Sequence, residues 1–99
     1  MKKPLISNNV EIKFFTFNQI NSKLRCEALE VKTFKSGKQA LLVREIKTGA
    51  CYYLSNSFFL KHSKELLNKK IEIVFKDKVS FISADGTERT LSLFDVFEI

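Results

Sequence analysis

The chain has no tryptophan, one histidine, one proline, two cysteines and three glycines among its 99 residues. Each shortage excludes something. Two cysteines, Cys26 and Cys51, cannot make a disulfide framework, and they stand apart from any cluster of metal-ligating residues. Free, reduced thiols on opposite faces of a sheet are the expectation. His62 has no second ligand at metal spacing, and Ser63 and Glu65 beside it do not form a catalytic triad. Gly37, Gly49 and Gly86 stand singly at turns, so there is no phosphate-cradling loop. Asp77, Asp85, Glu88, Asp95 and Glu98 are scattered and form no paired-carboxylate site. Neither an enzyme nor a cofactor is expected.

Long apolar runs are missing too. No stretch approaches the roughly 18 apolar residues that cross a bilayer. Leu5 and Ile6 are the only apolar residues between the first lysines and Ser7-Asn8-Asn9, too few for a secretory leader. The expected location is therefore cytoplasmic.

What remains is ordinary for one globular domain, with 44% hydrophobic residues including ten phenylalanines. The charge is less ordinary. Residues 1–54 carry ten Lys or Arg against four acids, while residues 55–99 carry seven against seven. A basic half raises the expectation of an anionic partner, nucleic acid first, although charge also serves solubility.

Read in order, residues 1–9 are a flexible lead-in and residues 10–99 a single domain. Val10–Ile20 is a strand whose apolar alternation changes phase at Phe14-Phe15. Leu24–Phe34 changes phase again, from Leu24, Cys26 and Ala28 to Leu29 and Val31. Such flips mark bulges or a strand that serves two sides of a coiled barrel. Gln39–Ile46 and Ala50–Leu54 follow, with turns at Ser36-Gly37 and Thr48-Gly49. Ser55-Asn56-Ser57 offers N-caps for a short helix over Phe58–Asn68. Ile71–Phe75, continued by Val79–Ile82, and Thr87–Ile99 are the last strands, joined at Asp85-Gly86.

The order strand, strand, strand, helix, strand, strand from Arg25 onward resembles the OB-fold, a five-stranded, partly open barrel. The predicted fold is mainly β with one short helix, an OB-like barrel with an extra N-terminal strand. The resemblance implies binding of oligonucleotides or oligosaccharides, with the loop between the first two barrel strands taking part.

Two-residue loops at both turns would pair Lys35 with Lys38, Lys32 with Leu41 and Glu45 with Tyr52. One face then carries Lys32, Phe34, Leu41, Val43, Glu45, Lys47, Tyr52 and Leu54. The other, with Val31, Ala40, Leu42, Ile46 and Tyr53, reads as core. On the first face Phe34 and Tyr52 would stack on bases while Lys32, Lys35, Lys38 and Lys47 neutralise phosphates. The same aromatics could instead be packing under the N-terminal strand. Phe14, Phe15 and Phe17 are read as packing or as a dimer or partner contact.

The expected function is binding of single-stranded DNA or RNA with little sequence choice. A role as an accessory replication factor, or as a subunit of a larger replication or transfer machine, fits that reading. An adaptor or inhibitor that docks a protein through the aromatic face or an edge strand is the alternative. A homodimer is compatible with either.

Overall fold

Alternation of apolar and polar residues builds most of the chain into strands. The computed structural model describes residues 12–99. The lead-in at 1–9, with Val10 and Glu11 of the first expected strand, lies outside the described residues. The strands are β1 (Lys13–Phe14), β2 (Lys23–Thr33), β3 (Gln39–Glu45), β4 (Cys51–Leu54), β5 (Lys70–Ile82) and β6 (Glu88–Glu98). They form one sheet in the order β1-β4-β3-β2-β5-β6. Neighbours are antiparallel except β1 and β4, which run parallel. The protein is thus mainly β, as expected. The sheet is open, however, with β1 and β6 at its two ends and no ladder joining them among the described residues.

The single expected helix is two short ones, α1 (Ser57–Lys61) and α2 (Ser63–Leu66). Asn56 caps α1 by accepting a 2.9 Å hydrogen bond from the Phe58 amide. The break comes at His62. There the apolar pattern places Ser63 where a continuous helix would need a core side chain. Phe59 and Leu66 are the buried anchors on either side. Asn68, at φ +66°, then turns the chain into β5, and its amide donates to the Ala28 carbonyl at 2.8 Å.

The phase flip in β2 is a bulge. Ala28 pairs with Val43 and Glu30 with Leu42, so the register shifts across Leu29. Leu24, Cys26 and Ala28 before it, and Val31 after it, thereby reach the same core. Leu41, Val43, Leu54, Phe59, Ile71 and Ile73 complete that core, each nearly or fully buried. A fully buried side chain of this size contributes about 1.5–3 kcal/mol. Burial also pushes the Cys26 thiol up from 9.0 to about 12, with a smaller push from the Glu45 carboxylate. Cys26 faces inward and Cys51 pairs with Arg44 on the outer side, both free thiols as expected.

The turns are longer than two residues, and this changes the register. At the first, the Phe34 amide donates to Lys38 and the Gly37 amide to Phe34, leaving a three-residue loop with Gly37 at φ +86°. That is a turn followed by a left-handed glycine. Lys32 therefore pairs with Ala40, one residue away from the expected Leu41. A one-residue slip sends every side chain of one strand to the opposite face relative to its partner. At the second turn Glu45 pairs across to Ala50 and the Gly49 amide donates to Glu45, leaving a four-residue loop. That slip is two residues, so β3 and β4 keep their relative faces. Val43 sits opposite Tyr52 and Leu41 opposite Leu54.

In β3 and β4 the expected core and surface faces are consequently exchanged, while Val31 of β2 stays with the core as expected. Leu41, Val43 and Leu54 are buried, whereas Arg44 and Ile46 are exposed. Among the described residues of the expected Val10–Ile20 strand, only Lys13 and Phe14 are strand. After Phe14 the chain leaves the sheet plane, and Phe15 and Phe17 turn toward the core. Phe15 meets Tyr52 of β4 at 5.2 Å and Phe17 meets Phe94 of β6 at 5.1 Å, ring centre to ring centre. These rings bridge the two ends of the sheet without backbone pairing.

Beyond Phe75, which still exchanges backbone hydrogen bonds with Asn21 and Ser22, β5 pairs only with β6. A second bulge, between Phe75 and Asp77, gives this arm its own phase. The arm ends in a three-residue loop with Gly86 at φ +83°. The Asp85 carboxylate accepts from the Thr87 amide and the Ser83 hydroxyl, and those bonds lower it from 3.8 to about 2.

Candidate nucleic-acid interface

The outer face of β1, β4, β3 and β2 collects the rings that the core does not use. Phe14 pairs with Tyr53, Tyr53 with Leu42, and Lys32 with Ala40, all on this side. Phe34 is the last residue before the loop. Its ring lies 5.2 Å from Tyr53 and 6.0 Å from Phe14, and Phe14 lies 5.4 Å from Tyr53. Ala40 is fully buried although it belongs to the outer face. Phe14 itself is 55% exposed, and Phe34 and Tyr53 are half-buried. A groove of about 580 Å³ opens beside Phe14 and Phe34, lined further by Ser36, Lys38, Gln39 and Ser55.

Three cations surround this cluster. Lys32 lies on the face, and Lys35 and Lys38 flank the loop, all exposed. None makes an ion pair with another described residue. Arg44 and Arg25, farther down the strands, are instead tied to Glu27 at 2.6 Å and to Glu72 at 2.7 Å. Uncommitted ammonium groups beside exposed rings can meet phosphates while the rings meet bases.

The residues expected at the site are therefore divided. Phe34, Lys32, Lys35 and Lys38 come together. Tyr52 does not join them, since it faces inward against Phe15 and the core. Lys47 lies in the loop at the other end of β3, a strand of seven residues. At about 3.3 Å per residue this places it some 20 Å from the Phe34 turn. Of the first aromatic cluster, Phe14 joins the outer rings and Phe15 and Phe17 pack inward.

Tyr53 is the ring that sequence reasoning assigned to the core. A signal for it exists in the turn residues. Ser36 and Thr48 are poor choices for the positive φ that the first residue of a two-residue type I′ loop needs. Reading Gly37 as the third loop residue shifts the pairing by one and moves Tyr53 to the side of Phe34. Among the described residues no group of His, Cys, Asp or Glu could hold a metal ion, and no helix is long and apolar enough to cross a membrane. Compared with known proteins, the chain matches no family model, no curated protein and no solved structure.

Proposed function

We propose that the protein binds single-stranded nucleic acid, DNA or RNA, on the outer face around Phe34. The observation that carries this reading is the partly exposed cluster of Phe14, Phe34 and Tyr53 beside Lys32, Lys35 and Lys38. Each base stacked on such a ring contributes about 1–3 kcal/mol. The lysines supply a sequence-independent attraction for the backbone. Nothing in the cluster offers the rigid, buried hydrogen-bond set that reading a base edge requires, so low sequence preference follows.

The fold, in this reading, is an OB-like barrel whose closing position is taken by the N-terminal segment. Support comes from the element order and from Phe15 and Phe17, which reach β4 and β6 respectively. A cytoplasmic accessory role in replication or transfer suits a small binder of this kind.

Fluorescence polarisation with labelled oligonucleotides tests the reading. Single-stranded dT and mixed-sequence probes bind at micromolar or lower concentration in low salt, duplex binds less, and Phe34→Ala removes the difference. Absence of binding at low salt, or binding indifferent to Phe34→Ala and Tyr53→Ala, overturns it.

A further inference from the structure

β6 is a long strand with one side unpaired among the described residues. Its backbone pattern says which groups are free. The Ile99 amide donates to the Lys70 carbonyl, and the Ser83 amide donates to the Thr87 carbonyl, both at 3.0 Å. Alternation along the antiparallel ladder from both ends turns the backbone groups of residues 89, 91, 93, 95 and 97 toward β5. The groups of residues 88, 90, 92, 94, 96 and 98 consequently point away from the sheet.

The side chains of this strand and its arm are not those of a protected edge. Ile82 is 75% exposed, and Phe81, Leu91 and Phe97 are each about half exposed. Leu91 lies opposite Val79 and Leu93 opposite Asp77 on the outer side. No proline interrupts β6, and its only cation is Arg89. Edges meant to stay single are usually guarded by lysine, proline or shortness.

We propose that β6 pairs antiparallel with β6 of a second copy of this chain, about a two-fold axis through Ser92. A two-fold interface must be self-complementary. The free backbone groups restrict the possible registers to those that match an even-numbered residue with another even-numbered one. Among these, centring on Ser92 sets Arg89 against the partner's Asp95 and Leu91 against the partner's Leu93, and symmetry repeats both contacts. Centring one residue later, at Leu93, sets Glu88 against the partner's Glu98. Centring at Asp95 sets that carboxylate against its own copy. Only the Ser92 register matches the strand's single cation with an anion.

These matched pairs are the non-hydrogen-bonded ones, in which facing side chains approach most closely. Arg89 already lies 3.6 Å from Asp85, and Asp95 3.1 Å from Lys76. Pairing joins these couples into an alternating row of Asp85, Arg89, the partner's Asp95 and the partner's Lys76. The overlap adds about ten backbone hydrogen bonds across the axis. On the inner face, the partner's Glu88 and Thr90 lie over a groove of about 410 Å³ whose lining includes Phe58, Leu66, Lys69 and Val96. Lys69 there lies 4.0 Å from Glu98 of its own chain, and the partner's Glu88 would share it.

This interface lies at the end of the sheet opposite Phe14 and does not depend on the nucleic-acid reading. Sedimentation equilibrium over a dilution series of the full chain tests it. The expected mass is twice that of one chain, falling to one chain on dilution. Arg89→Asp and Asp95→Arg each weaken association by about tenfold or more, because symmetry doubles every like-charge contact. The double variant Arg89→Asp with Asp95→Arg restores it, which a variant that merely misfolds cannot do. A monomer at every concentration overturns the proposal. So does a dimer indifferent to the single reversals, or a double variant no better than either single one.

Discussion

Phe34 and Tyr52 are the residues whose roles the fold separates most sharply, and substitution distinguishes them. Phe34→Ala removes a half-buried outer ring that packs on Phe14 and Tyr53. The expected result is a loss of about 5- to 150-fold in single-strand affinity, matching a stacking contribution of about 1–3 kcal/mol, with a small change in melting temperature. Tyr52→Ala removes a ring that packs on the core and on Phe15. The expected result is a stability loss of about 2–4 kcal/mol, read by urea unfolding. Equal effects of the two on both readouts would show that the faces are not as described.

At the same scale, Cys26 makes a pH prediction. Its thiol is held protonated up to about 12 in the folded protein, against an ordinary 9.0. The unfolded chain releases that proton first, so folding stability is whole below pH 9 and declines as pH rises toward about 12. Cys26→Ala or Cys26→Ser flattens this decline in urea titrations at increasing pH. A wild-type decline identical to that of the variants would refute the assignment. A thiol reagent near neutral pH should modify Cys51 and spare Cys26, which is fully buried.

Among the elements, the loop between β2 and β3 decides most. Gly37 holds φ +86° with no atom near the place a Cβ would take. The cost of a side chain there is conformational alone, about 1–2 kcal/mol for Gly37→Ala. Gly37→Asn should cost less, since asparagine tolerates the left-handed region. Equal losses by chemical denaturation would argue for a two-residue loop or a different turn. The bulge in β2 was legible because Leu24, Cys26, Ala28 and Val31 cannot share one face of a regular strand. The helix was legible as a site, from Asn56 and the spacing of Phe59 and Leu66. Its break at His62 was not, since a short helix is held by packing rather than by propensity.

Seen as a whole, the molecule separates its chemistry toward opposite ends of the sheet. Lys32, Lys35 and Lys38 lie with the rings, while β5 and β6 hold an apolar strip and a mixture of paired charges and the exposed Lys70 and Lys78. Neutralisation of single-strand phosphates by Lys32, Lys35 and Lys38 should give a slope of about −2 in log affinity against log salt, at about −0.7 per contact. Lys35→Ala or Lys38→Ala reduces that slope by about 0.7. Lys47→Ala, at the far end of β3, leaves it unchanged. A flat salt profile would favour a protein partner for the same face.

Local rules were enough to place the strands from β2 onward, the turn positions, the phase flip in β2, an N-cap within Ser55-Asn56-Ser57 and the basic first half. Each depends on residues within a few positions of one another, where side-chain period and turn chemistry act directly. Which face became core was decided by tertiary structure. It rests on one residue of loop length at Gly37, and the difference in local energy between two loop types is small. The burial of Leu41, Val43 and Leu54 beneath Phe15, Phe59 and Ile73 settles it, because exposing that set would forfeit the packing of the whole sheet. Tyr53 came to stand with Phe14 and Phe34 by the same choice. The open edge of β6 is also a tertiary outcome, since the neighbours of a strand are contributed by distant parts of the chain.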